Sequence, residues 1–193
     1  MFTVNAINKT ISTKSKIGDT WYQYSDYIVE NNKPKLIRRH TDDYEHAPFY
    51  RETIEELKGN KMVKTTRSSL ALERYHIEEC FKFHVDKVNK DIILCNFYDD
   101  RLYYVILDAK QNVEFYYPFE ELRQTSDFIF YRKNGKLTFK NKDASYTIYD
   151  KSGKIGVDIT YKGKIHQWKG NTKSRRGSIG KLLKGSLNNV VYQ

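Results

Sequence analysis

Short apolar runs alternate with polar, turn-forming clusters along the chain, and their character changes near residue 82. Before that point the pattern is mixed. Trp21–Tyr24 and Tyr27–Val29 combine aromatic and β-branched residues and read as strands, ended by Asn31-Asn32-Lys33-Pro34, with Lys35–His40 as a further strand. Two segments have helical spacing. Between Pro48 and Lys58, Tyr50, Ile54 and Leu57 recur at i, i+4 and i+7, and Gly59 supplies a C-terminal stop. Between Ser69 and Phe81, Leu70, Ile77 and Phe81 share a helical face, with Ser69 as N-cap and Glu73 in the first turns.

Beyond residue 82 the chain reads as strands and tight turns. Asp91–Phe97 and Leu102–Leu107 flank the polar turn Tyr98-Asp99-Asp100-Arg101, Asn112–Tyr117 follows, and Pro118–Arg123 reads as a short helix. Asn134-Gly135, joining Phe128–Lys133 to Lys136–Lys140, is the strongest hairpin signal. Gly-Lys-apolar turns recur at Gly135, Gly153 and Gly163, unequally spaced and so without a fixed-period repeat. The expected fold class is α+β: two helices in the N-terminal half, then an antiparallel β-meander and a basic C-terminal segment. With no Pro/Gly/Ser linker, residues 1–193 read as one domain, comprising a mixed helical scaffold (1–81), the meander (82–168) and the basic segment (169–193).

Composition adds a compartment and a class of partner. An apolar fraction of 39% with three prolines suits a folded chain, and two cysteines suit a reducing interior. The first twenty residues lack the apolar run of a secretory leader, and no run is long enough to span a bilayer, so an intracellular, cytoplasmic protein is expected. The net charge of +10 is concentrated at one end. Residues 131–193 carry fifteen Lys/Arg against three Asp/Glu, and no acid follows Asp158. Charge segregated in this way favours a polyanion, DNA or RNA.

A two-residue turn at Asn134-Gly135 would pair Tyr131 with Thr138 and Lys133 with Lys136, placing Phe128, Phe130, Leu137 and Phe139 on one face. Tyr131, Lys133, Lys136 and Lys140 would share the other, a basic surface with an aromatic for stacking a base. Lys169, Lys173, Arg175, Arg176, Lys181 and Lys184 follow, spaced by Gly170, Gly177, Gly180 and Gly185, which would let backbone approach phosphate. Ile179, Leu182, Leu183, Leu187 and Val190-Val191-Tyr192 are apolar enough to dock this segment. Trp168 is a second stacking residue, although it shares a face with Val157 and Ile159. The leading expectation is a nucleic-acid-binding protein that is not an enzyme and needs no cofactor.

One constellation suggests chemistry. A turn at Lys162-Gly163 pairs Asp158 with Gln167, with Lys169 on the same face. Residues 158–169 resemble the metal-dependent core of restriction-type nucleases. That resemblance implies Mg²⁺ on Asp158, assistance from Gln167, and Lys169 orienting the attacking water or stabilising developing phosphate charge. An amide replaces the usual second carboxylate, and Glu52, Glu55 or Glu56 would have to supply the supporting acid-bearing helix. His76, Cys80 and His84 have helical spacing but lack the further ligands of a zinc site. Asp42-Asp43-Tyr44-Glu45-His46 reads as helix-start electrostatics. There is no phosphate loop, nucleophile elbow or dinucleotide fingerprint. A third reading is a viral or mobile-element module that docks an acidic protein surface and inhibits a host nucleic-acid or defence machine.

Overall fold

The computed structural model describes residues 2–5, 9–44, 49–70, 80–97, 100–118 and 126–193, and these are nearly all strand. The chain divides into two compact units, Met1–Ala71 and Leu72–Gln193.

The first unit is one antiparallel meander with its strands in chain order: β1 (Phe2–Asn5), β2 (Thr10–Ile17), β3 (Trp21–Glu30), β4 (Lys33–Asp43), β5 (Phe49–Lys58) and β6 (Lys61–Leu70). Asn31 and Asn32, at φ 50° and 60°, close a two-residue turn that pairs Glu30 with Lys33. Gly59, at φ 63°, starts the turn that pairs Lys58 with Lys61.

The α+β expectation is therefore overturned. The helix expected over 48–58 is strand β5, and Gly59 opens a hairpin turn instead of ending a helix. The cause lies across the strands. Arg39 pairs Glu55 at 3.1 Å, Arg38 meets Glu56 at 3.7 Å, and Glu52 accepts from Arg67, each pair directly opposed in register. Opposed charges stabilise a sheet much as i, i+4 pairs stabilise a helix. Tyr50 and Ile54 fall on one face of β5 and Leu57 on the other, so their helical spacing carries no packing. Of the second expected helix, Ser69 and Leu70 end β6, Cys80 and Phe81 begin the next strand, and 71–79 lie outside the described residues. The expected turn of helix after Pro118 also falls mostly outside them.

The second unit contains two sheets. One has the order β10-β9-β8-β7-β16, from β7 (Cys80–Val85), β8 (Lys90–Phe97), β9 (Arg101–Leu107), β10 (Val113–Tyr117) and β16 (Asn171–Arg176). The other has the order β15-β14-β13-β12-β11-β17, from β11 (Phe128–Tyr131), β12 (Lys136–Asn141), β13 (Ala144–Lys151), β14 (Lys154–Tyr161), β15 (Lys164–Lys169) and β17 (Val190–Tyr192). All their pairings are antiparallel except β17 on β11. Alternate residues of both sheets meet in one core: Phe81, Phe83, Ile92, Leu94 and Tyr104 from the first, Phe128, Leu137, Phe139, Ile148 and Val157 from the second.

The basic C-terminal segment closes this core. After β16 comes α1 (Ile179–Leu182), the only helix among the described residues, capped by Ser178 Oγ accepting from the Lys181 amide at 3.2 Å. Ile179, Leu182, Leu183, Leu187 and Val190 are buried in the cluster. No helix of the described residues is long and apolar enough to cross a membrane.

Candidate functional sites

The outer face of the six-stranded sheet of the second unit follows from strand alternation. Phe128, Phe130, Leu137 and Phe139 point inward as expected, so Tyr131, Lys136 and Lys140 point out. The hairpin register differs from expectation. Tyr131 pairs with Lys136 and Phe130 with Leu137, leaving Arg132–Gly135 as a four-residue loop. The Asn134 amide donates to the Tyr131 carbonyl at 3.1 Å and Gly135 takes φ 58°, a β-turn followed by a left-handed residue. Lys133 consequently sits in the loop, where its carbonyl accepts from Lys151 Nζ at 3.1 Å, and not on the strand face.

Register then carries one row across five strands. Tyr131 opposes Lys136, Lys136 opposes Tyr149, Tyr149 opposes Gly156, and Gly156 opposes Lys169. Gly156 is needed here because a Cβ would collide with the Tyr149 hydroxyl, so the tyrosine ring lies over the glycine. Burial, and after it the Asp158 carboxylate, raises the Tyr149 pKa. Lys140, Lys151 and Lys154 lie on the same face by alternation and are exposed. Five lysines thus share the face with a single acid, Asp158. Tyr149, Lys151 and Lys154 were missed from sequence; continuing the register through the Ser152-Gly153 turn would have found them.

Other expected contacts are already committed within the unit. Trp168 opposes Val157 and packs half-buried against the core, which removes it from the stacking surface. Arg175 Nη2 lies 3.0 Å from both carboxylate oxygens of Asp150, whose side chain is 5% exposed and also accepts from the Ile179 amide at 3.1 Å. That guanidinium secures the start of α1. Gly170 and Gly177 serve packing: a Cβ at Gly170 would strike Phe83, and one at Gly177 the Cys80 carbonyl. Lys173, Arg176, Lys181 and Lys184 are exposed on β16, on α1 and just beyond it, and so lie off the sheet face.

Asp158 opposes Gln167 as expected, with Lys169 on the same face. One Asp158 carboxylate oxygen is buried without a hydrogen-bond partner among the described residues. Glu52, Glu55 and Glu56 stand on strand β5 of the first unit and form no acid-bearing helix. Of the histidine–cysteine set, His76 lies outside the described residues, while Cys80 and His84 are on strand β7.

A second cluster lies in the first unit. His40 and Asp42 alternate on β4, and Glu52 opposes Asp42 from β5, so all three share one face. His40 Nε2 lies 2.9 Å from Glu52 Oε1 and 3.1 Å from Asp42 Oδ1. Glu52, 7% exposed, turns its other oxygen to Arg67 Nε. That bond, and secondarily the charge of Glu52, raises the Arg67 pKa. Asp42, expected at the start of a helix, stands instead on a strand beside an imidazole and a second acid.

No protein-family model matches the chain, and no curated protein matches it. A crystal structure of an uncharacterized protein from Listeria monocytogenes EGD-e aligns with 84% of this chain and 63% of its own length, at 10% identity and a TM-score of 0.23. The chain thus spans under two thirds of that neighbour, and a likeness at this level carries no argument.

Proposed function

We propose that the protein binds nucleic acid, without cleaving it, through the outer face of the six-stranded sheet of its second unit. The observation that carries this reading is the row Tyr131–Lys136–Tyr149–Gly156–Lys169, flanked by Lys140, Lys151 and Lys154 and opposed by Asp158 alone. Adjacent strands stand about 4.8 Å apart, so lysines on successive strands present ammonium groups at intervals that a phosphate backbone can track. Tyr131 and Tyr149 are half-buried beside them and offer ring faces to unpaired bases. The nuclease reading is not taken up, because Asp158 is the single carboxylate on this face and a hard divalent cation draws on several oxygen ligands.

The test is affinity for single- and double-stranded oligonucleotides, DNA and RNA, across a salt series. A steep log–log salt dependence is expected, and Lys136→Ala and Lys169→Ala should each lower the slope by about 1. A flat salt response, or a slope unchanged in the double variant, overturns the reading. So does stoichiometric capture of an acidic protein by a surface that leaves oligonucleotides unbound.

A further inference from the structure

We propose that His40, Asp42 and Glu52 form a binding site for a divalent first-row transition ion of the zinc or manganese class. The site is independent of the basic sheet face, being built wholly within the first unit. Its residue types are an imidazole nitrogen and two carboxylates, a mixed N/O set that suits borderline ions better than Mg²⁺ or Ca²⁺.

The spacing fits one ion. Ligand atoms about 2.1 Å from a metal and at right angles to each other stand about 3.0 Å apart. His40 Nε2 lies 2.9 Å from Glu52 Oε1 and 3.1 Å from Asp42 Oδ1. A separate observation points to a ligand. The Nε2 atom is buried, and neither short approach has hydrogen-bond geometry, so it has no hydrogen-bond partner among the described residues. A ring nitrogen this close to two carboxylate oxygens, with a hydrogen bond to neither, stands where one cation would draw on all three atoms.

The surroundings supply the outer support. Arg67 bonds Glu52 Oε2, which leaves Oε1 directed at His40 and holds the carboxylate in orientation. Tyr24 packs its ring 5.8 Å from that of His40, limiting rotation of the imidazole. Ile54, half-buried on β5, stands directly opposite His40 on the same face. The two carboxylates outweigh the Arg67 guanidinium that bonds Glu52, so a divalent cation would settle the local charge. With His40 25% and Asp42 18% exposed, the cluster is open to ions from solvent.

The test uses the full chain, stripped with chelator and dialysed, then titrated calorimetrically with Zn²⁺, Mn²⁺ and Mg²⁺, with thermal melting in parallel. One saturable site for Zn²⁺ or Mn²⁺ is expected, with a melting temperature that rises with ion concentration and little response to Mg²⁺. His40→Gln and Asp42→Asn should abolish that site, while Arg67→Gln, which touches no ion, should weaken it by about 10- to 100-fold. Circular dichroism of each metal-free variant separates loss of the site from loss of fold. Should His40→Gln fail to fold, Asp42→Asn carries the same comparison. Absence of saturable binding by either transition ion at millimolar concentration overturns the proposal, as does binding unchanged in a folded His40→Gln or Asp42→Asn chain.

Discussion

Tyr104 buries its whole side chain in the core of the second unit, yet its hydroxyl has no hydrogen-bond partner among the described residues. The ring contributes fully, edge-on to Phe115 and tilted against Phe139 and Tyr146. The hydroxyl loses its water and gains nothing, a cost of about 1–3 kcal/mol. Tyr104→Phe should therefore stabilise the protein by about 1 kcal/mol, read as a higher denaturant midpoint at unchanged slope. Asp91 is the opposite case. Burial alone would push its carboxyl up, but bonds from Lys82 at 2.9 Å, Gln111 at 3.0 Å and His84 at 2.8 Å outweigh that and hold it at about 2. An unfolded aspartate titrates near 4, so the stabilisation is fully present above about pH 4 and is lost as pH falls towards 2. Asp91→Asn should flatten that acid limb; an unaltered limb in acid-titrated melts would remove Asp91 as its source.

Among elements, the C-terminal segment most changes the picture drawn from residues alone. Its lysines and arginines read as a phosphate-gripping tail, with glycines for close approach. In the fold Gly170 packs against Phe83 and Gly177 against the Cys80 carbonyl, while Gly180 and Gly185 stand in open space, and Arg175 is bound to Asp150. Its apolar residues did signal their role, since Ile179, Leu182, Leu183 and Leu187 were read as a docking face and are buried. Deleting residues 178–193 removes five core side chains and β17, the parallel partner of β11. Each lost apolar side chain forfeits about 1.5–3 kcal/mol, so the truncated chain should lose its cooperative unfolding transition, followed by near-UV circular dichroism. Retention of that transition would return the segment to the status of a tail.

Over the whole molecule, two units whose described residues are nearly all strand carry different chemistry. The first sheet is rich in cross-strand ion pairs and holds the His40–Asp42–Glu52 cluster; the second unit has the apolar core and the lysine-bearing face. Alternating pattern and turn residues made the second legible. Asp158 opposite Gln167 and the inward set Phe128, Phe130, Leu137 and Phe139 were readable because strand alternation is local and Lys162-Gly163 sets its own register. The Asn134-Gly135 register was misread by a loop choice, since the same dipeptide serves two-residue and four-residue connections. The sequence by itself determined the charge polarity, the Lys162-Gly163 turn, and the shared inward face of Phe128, Phe130, Leu137 and Phe139, all set by neighbouring residues. Only tertiary structure decided that residues 49–58 are strand, because the Arg–Glu pairs favouring it join residues more than a dozen positions apart. Tertiary structure alone also joined His40 and Asp42 to Glu52, and divided the cations between those held by buried acids and those left facing solvent.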